Sequence, residues 1–590
     1  MSTITARTLN ELWAKLIVEE LIRCGVDRFV LSPGSRCTPL TLAVAEHPRA
    51  KSVIHFDERG TAFFALGQAR ALGGPVALVC TSGTATANYL PAIVEAAQSL
   101  VPLIVLTSDR PPELLDTGAN QTIDQNQLYG RYARCYHAVP CPDRAIAPEV
   151  LLTAVDHAVH RAKSAPQGPV HLNCAYREPL APVESGEDFE SYLSGIATWR
   201  SQGRPYTTCA RTEHAVTPED AQFLTDLLRS AQRGVIVAGQ MDAQVADEVL
   251  TLGQALGWPI LADVTSGLRL GTAGTTVVHH VDQLLHAPQV RELLTPDVVL
   301  HFGGPVTSKR LMQQLELRPP EHYIRVADHP LRHDPIHRVT LRIQTDPRTF
   351  CIGLASACRS TRAVEWTQTL LAWNDAASAA IDAHLNPALE ISEPGLARQI
   401  ARLIDQGNAL FLGNSMPIRD MDMFGDPAGE RVVVYANRGA SGIDGNIATA
   451  AGIAQARGCT VTAVIGDLAA LHDLNSLAVL RNREAKVILI IINNDGGGIF
   501  HFLPVAERTD HFERYFGTPH GLAFASAAEQ FGLKYARPNS VDSFTAAYEA
   551  ACELPESSII EVQTGRESNR TLHRELQEAV VAAIESHPKA

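Results

Sequence analysis

Nowhere in the 590 residues is there an apolar run of about 18, the length a helix needs to cross a bilayer, so no membrane span is expected. Cysteine is sparse and unpaired: eleven residues are scattered singly with no Cys-x-x-Cys. An odd count in so long a chain favours reduced thiols over a disulfide framework or a zinc site. Positive charge is also short. Fifty Lys and Arg against 64 Asp and Glu leave a net charge of −14, which argues against sequence-independent nucleic-acid binding. There is no low-complexity tract and no short-period repeat, and no secretory leader is expected. The first 21 residues carry Glu11, Lys15, Glu19 and Glu20 among Leu9, Leu12, Trp13, Leu16, Ile17 and Leu21, an amphipathic helix capped by Thr8 or Asn10. The expectation is a cytoplasmic, enzyme-like protein.

What is present is ordinary for a globular chain, 45% hydrophobic and 19% charged. The length is too great for one core and suggests about three to five domains. Short apolar runs alternate with helical patterns in three sets. The first reads strands at 29–31, 53–56, 76–80, 103–107 and 170–173. Residues 183–215 lose the pattern, gain Gly, Ser, Glu and Thr, and read as a linker. A second set has strands within 234–239, 259–264, 298–304 and 323–330, and an Ala-rich helical stretch, 352–390, follows. The third holds 409–415, 432–445, 461–465, 487–492 and 558–565. This is an α/β protein of three tandem doubly wound parallel-sheet domains, at 1–185, 210–355 and 390–580.

The chemistry concentrates between Val461 and Phe500. One apolar run stops at Gly466-Asp467, a helix follows, and a second run stops at Asn493-Asn494-Asp495 and three glycines. Ligands bind beyond the carboxyl ends of such strands, so Asp467 and Asn494 are expected to face one crevice. A carboxylate and an amide oxygen suit Mg²⁺, and the glycines admit an anion close to the backbone. The alternative is an ordinary crossover whose polar residues cap strand ends. This spacing resembles the diphosphate-and-metal motif of the thiamine diphosphate enzymes, although their usual third residue is glycine and this chain has Leu468.

That chemistry also needs a carboxyl group beside a ring nitrogen of the cofactor, to drive the tautomer that removes a carbon-bound proton. His55-Phe56-Asp57-Glu58-Arg59-Gly60, straight after an apolar run, resembles the family's catalytic turn, with Glu58 in the matching place. The competing reading is that Asp57 and Glu58 cap the following helix.

Five further polar clusters lie at or beyond strand ends, and four carry an arginine: Arg36, Arg110, Arg419 and Arg438. Four ligand-side arginines in an acidic protein suggest substrates with several carboxylates. Otherwise these arginines pair with neighbouring acids.

Taken in order, SPGSR, HFDERG with FFALG, SGTATAN, SDRPPEL with GANQTIDQ, GNSMPIRD, NRGASGIDG, GDLAALHDLN and NNDGGGIFHFLP resemble one branch of the thiamine diphosphate enzymes. It is the carboligase branch of menaquinone biosynthesis, for which the GDL form is expected. The middle domain matches less, chiefly at Ser308-Lys309-Arg310.

The resemblance implies decarboxylation of 2-oxoglutarate and 1,4-addition of the remaining four-carbon unit to isochorismate, a transferase reaction. It implies thiamine diphosphate with Mg²⁺ or Mn²⁺, the metal on Asp467, Asn494 and the Gly496 carbonyl. Cofactor contacts are implied at Glu58, Ser415, Ser441, Gly442, Ile443, Gly466, Asp467, Leu468, Asn494, Gly496, Ile499 and Phe500. Ile443 would wedge the cofactor into a bent form. Substrate contacts are implied at Ser35, Arg36, Arg110, Asn120, Gln121, Lys309, Arg419, Arg438 and Leu503. It further implies a homodimer or dimer of dimers, with each site shared between the first domain of one subunit and the third of its partner. His279, His280, His301, His329 and His333 have no ligand spacing and read as structural or surface residues. Other open readings are an acetolactate-synthase-like thiamine diphosphate enzyme and a non-catalytic nucleotide-binding protein.

Overall fold

The structure is a computed structural model that describes residues 4–184, 186–210, 212–357, 365–481 and 484–586. Its framework is three six-stranded sheets, parallel throughout. The first comprises β1 (Arg28–Leu31), β2 (Lys51–Ile54), β3 (Val76–Cys80), β4 (Leu103–Asp109), β5 (Tyr136–Val139) and β6 (Val170–Ala175), in the order β2-β1-β3-β4-β6-β5. The second comprises β7 (Gly234–Ala238), β8 (Ile260–Ala262), β9 (Val277–Val278), β10 (Val298–Phe302), β11 (His322–Ala327) and β12 (Leu341–Gln344), ordered β12-β11-β10-β7-β8-β9. The third comprises β13 (Ala409–Leu412), β14 (Val433–Tyr435), β15 (Val461–Gly466), β16 (Val487–Asn493), β17 (Lys534–Ala536) and β18 (Ser558–Gln563), ordered β14-β13-β15-β16-β18-β17.

Inner strands read as largely apolar runs because both of their faces are covered. In β7, Val235 and Val237 enter one core, with the helices Glu365–Leu385 and Arg566–Glu585, while Ile236 and Ala238 enter another, with Pro218–Ser230 and Ala243–Leu256. The first sheet packs on the helices Leu9–Arg23 and Glu149–Lys163, and the third on Glu393–Leu403, Met416–Phe424 and Val541–Glu553. Thr8, not Asn10, caps the first helix; Asn10 donates instead to the carbonyls of Arg177 and Pro179.

The chain packs into two compact units: Met1–Arg211 with Asn437–Gly458 and His472–Lys486, and Thr212–Ala436 with Cys459–Leu471 and Val487–Ala590. The first sheet lies in the former, the other two in the latter.

The stretch 183–215 departs from the linker expected of it. Phe189, Leu193, Ile196 and Trp199 are buried in the first sheet's core, spaced at three to four residues like a helical face. Trp199 Nε1 donates to Glu20 at 2.6 Å, and the Thr207 amide donates to Asp156 at 2.6 Å. The expected helical region 352–390 contains the end of Pro347–Ala357 and all of Glu365–Leu385; residues 358–364 lie outside the described residues. No helix among the described residues is long and apolar enough to cross a membrane.

Candidate active site

Parallel pairing brings three of the motif loops to one end of the first sheet. Leu31 is level with Ile54 and with Val79, so the chain turns out of β1, β2 and β3 side by side, at Ser32, His55 and Thr81. At the β2 turn the two acids divide their tasks. Asp57 caps the helix Glu58–Leu72, accepting from the amides of Arg59 at 3.0 Å and Gly60 at 3.4 Å, and its other oxygen accepts from Asn475 Nδ2 at 2.9 Å. Glu58 is the first helical residue, half-buried, and its carboxylate makes no hydrogen bond or ion pair among the described residues. Gly60 is required here: a Cβ would stand 2.4 Å from the His55 ring and 2.7 Å from Ser476 Oγ. His55 itself is buried with neither ring nitrogen hydrogen-bonded, and burial pushes its pKa down, which keeps it neutral.

Residues expected on the substrate side gather around Ser82. Its hydroxyl accepts from Arg110 Nη1 and donates to the Gln121 carbonyl, and Gln121 Nε2 returns a bond to the Ser82 carbonyl at 2.9 Å. Arg36 is buried. It donates to the Tyr176 carbonyl at 3.1 Å and lies 3.2 Å from the exposed Glu178, so the acid-pairing alternative holds in part for this residue. Burial and then the Arg36 charge depress the Arg110 pKa. Two guanidiniums that repel one another favour an anion bound against both. Ser35 and Asn120 are exposed beside them.

The loop bearing Arg438, Ser441, Gly442 and Ile443 belongs to the same unit. Buried Glu95 holds it, accepting from the amides of Gly439 at 2.9 Å and Ala440 at 2.6 Å while pairing with Arg70 at 3.1 Å. Asp473 secures the following helix, Asn446–Arg457, at the amides of Ile447 and Ala448; burial pushes its pKa up to about 6. That helix packs along Glu58–Leu72 with glycine at both crossing points, since a Cβ on Gly67 or Gly452 would lie 2.1 Å from the carbonyl of Thr449 or Phe64. Ile443 is an aliphatic side chain left 39% exposed.

The remaining candidates lie in the other unit. Gly466 is level with Ile492, so β15 and β16 release Asp467 and Asn493-Asn494 together. Asp467 is buried. Its Oδ1 accepts from the Leu468 amide at 2.6 Å, and its Oδ2 accepts from the Gly496 amide at 2.9 Å and from His520 Nε2 at 3.2 Å. His520 Nδ1 accepts from the Leu522 amide, so Nε2 carries the proton even in the neutral ring. Asn494 Oδ1 is buried with no hydrogen-bond partner. Gly496 has φ +130, and a Cβ there would lie 2.0 Å from the Gly517 carbonyl. Ser415 has φ +76, a strained value for serine; it precedes the helix Met416–Phe424 without capping it, and its carbonyl accepts from Arg419. Ile499 and Phe500 are half-buried, and Leu503 is exposed. Lys309 is exposed at the first turn of Lys309–Leu317, where its neighbours Ser308 and Arg310 both bond Asp282.

These residues fit a hard divalent cation. A buried amide oxygen lacking a partner, a carboxylate with one of its roughly four acceptor positions still free, and a glycine loop closed to any Cβ make an all-oxygen donor set. The sequence reading missed Glu95, Asp473 and His520. Glu95 had one signal, an acid inside the apolar helix Leu90–Gln98; the other two had none.

Comparison with known proteins gives three domain matches: thiamine pyrophosphate enzyme, N-terminal TPP binding domain, over 13–128; middle domain of thiamine pyrophosphate, over 190–412; and thiamine pyrophosphate enzyme, C-terminal TPP binding domain, over 427–562. The chain is 49% identical over 570 residues to the 2-succinyl-5-enolpyruvyl-6-hydroxy-3-cyclohexene-1-carboxylate synthase of Rubrobacter xylanophilus, spanning 96% of this chain and 98% of that protein. It is 43% identical to proteins of the same name from Salinibacter ruber, over 99% of each chain, and Chlorobaculum tepidum, over 97% and 98%.

Proposed function

The chain belongs to the family of 2-succinyl-5-enolpyruvyl-6-hydroxy-3-cyclohexene-1-carboxylate synthases, and from that premise we infer a thiamine diphosphate-dependent carboligase of menaquinone biosynthesis. It decarboxylates 2-oxoglutarate and transfers the succinyl carbon unit to isochorismate. One carbon–carbon bond breaks, with release of CO₂, and one forms. The observation that carries this reading is the near full-length identity of 49% to a synthase of this name. The opposed Arg36 and Arg110 support it independently, because both substrates are dicarboxylates.

When bound, thiamine diphosphate supplies the nucleophilic carbon and the electron sink. Glu58, left unengaged by its neighbours because Asp57 takes the capping bonds, holds and exchanges a proton at its carboxylate. Asp467 and Asn494 would hold Mg²⁺ or Mn²⁺ through oxygen, with the Gly496 carbonyl beside them. Arg36, Arg110, Arg419, Arg438 and Lys309 orient substrate carboxylates, with Ser35, Asn120 and Gln121 as polar lining. Ser415, Ser441, Gly442, Ile443, Gly466, Leu468, Ile499, Phe500 and Leu503 form the remaining wall.

We propose at least a homodimer with shared sites. Exposed Ile54 (66%) and Phe56 (60%), beside the Glu58 turn, support an apolar surface that a partner covers. A cytoplasmic location is supported by cysteines that are all free among the described residues. Substrate choice decides between this reading and an acetolactate-synthase type. With thiamine diphosphate and Mg²⁺ present, isochorismate must be consumed with 2-oxoglutarate and not with pyruvate as donor; the reverse preference overturns the proposal.

A further inference from the structure

Asn494 can act as a metal ligand only through its oxygen, yet an amide presents an oxygen on one side and an NH₂ on the other. Something must choose. Asn494 Nδ2 donates to Glu393 Oε1 at 2.9 Å, across 101 residues of sequence. The same oxygen accepts from Thr564 Oγ1 at 2.9 Å. Thr564 is held there by its own amide, which donates to the Asn493 carbonyl at 3.2 Å and continues the β16–β18 pairing. Glu393 opens the helix Glu393–Leu403, whose start is fixed by Ser392, a cap accepting from the Gly395 amide at 3.2 Å. Glu393 is 1% exposed. Gly498 leaves room for the pair, since a Cβ there would lie 2.6 Å from Asn494 Nδ2.

We propose that Glu393 is a positioning residue that fixes the orientation of the Asn494 amide. Oε1, which also accepts from Thr564 Oγ1, meets the NH₂ side of the amide and so leaves Oδ1 as the atom Asn494 turns to the cation. Oδ1 is indeed the buried atom with no partner. A purely structural role for Glu393 is a weaker account. Its second oxygen is buried and unpartnered, and a neutral residue of equal volume would fill the space at lower desolvation cost. The inference rests on reading Asn494 as a metal ligand.

The test is the affinity for Mn²⁺, measured from the EPR signal of the free ion at saturating thiamine diphosphate. Glu393→Gln keeps the shape but offers both a donor and an acceptor, so the amide can turn over. The expected result is a Kd raised roughly 10- to 100-fold, with the melting temperature of the cofactor-free protein not lowered. Thr564→Val removes a restraint on the carboxylate without changing any charge, and should raise the Kd in the same direction. An unchanged Kd in Glu393→Gln overturns the proposal. So does a raised Kd there with none in Thr564→Val, which would reduce the effect to lost charge. Asn494→Ala distinguishes the premise: wild-type Mn²⁺ affinity in that variant overturns the ligand assignment itself, whatever Glu393 does.

Discussion

Asp57 takes both capping bonds of the helix that Glu58 begins, at 3.0 Å from the Arg59 amide and 3.4 Å from the Gly60 amide. On the proposed function the two adjacent acids therefore separate structure from chemistry. Glu58→Gln should lower kcat by about 100-fold or more, roughly 3 kcal/mol of transition-state stabilisation, with no loss of melting temperature. Asp57→Ala should cost about 1 kcal/mol of stability. Kinetics and thermal unfolding of the two variants check this separation.

Arginine chemistry gives a second prediction. Arg419→Ala or Arg438→Ala removes a charge-assisted contact to a carboxylate, about 1.5–3 kcal/mol, and should raise the KM for a dicarboxylate roughly 10- to 100-fold. Thiamine diphosphate affinity, read by titration, should change far less. Collapse of cofactor affinity with unmoved substrate terms would contradict the assignment.

The glycine crossing predicts an effect on folding. A methyl group at residue 67 would stand 2.1 Å from the Thr449 carbonyl, so Gly67→Ala must push the helices Glu58–Leu72 and Asn446–Arg457 apart. The expected cost is about 1–3 kcal/mol, measurable by denaturant unfolding, although alanine is the better helix former.

Glu20 predicts a pH dependence. Its buried carboxyl, beside Asp156, is pushed up to about 8 from an ordinary 4.5, by burial first and by its acidic neighbour. The folded state thus binds a proton that the unfolded state has released. Its contribution is complete below the ordinary carboxylate value and is lost as pH rises toward about 8. Melting temperatures across that window should fall in the wild type and fall less in Glu20→Gln. An equal slope in both would contradict the assignment.

The three sheets were legible because their inner strands are buried on both faces, so β3 is an unbroken apolar run, β4 and β16 are apolar up to Thr107 and Asn493, and β10 is interrupted only at His301. The edges were not. β5, β9, β12 and β17 went unread, being two to four residues long or only half-buried, and β2 begins at Lys51 rather than the expected 53. Edge strands need cover on fewer sides, and so carry less apolar signal. In the candidate site, candidates within contiguous motifs, such as Glu58, Asp467 and Asn494, could be nominated from sequence. Residues that hold motifs from a distance could not: Glu393 lies 101 positions from Asn494, and Glu95 lies 344 from Gly439. Only the fold brings those pairs together.

The central claim is coupled decarboxylation and carbon–carbon bond formation, and CO₂ release from 2-oxoglutarate labelled at its C1 carboxylate tests it most directly. With thiamine diphosphate and Mg²⁺, sustained release should require isochorismate, match its consumption one to one, and fall about 100-fold or more in Glu58→Gln. Release that is indifferent to isochorismate, or undiminished in Glu58→Gln, would contradict the account.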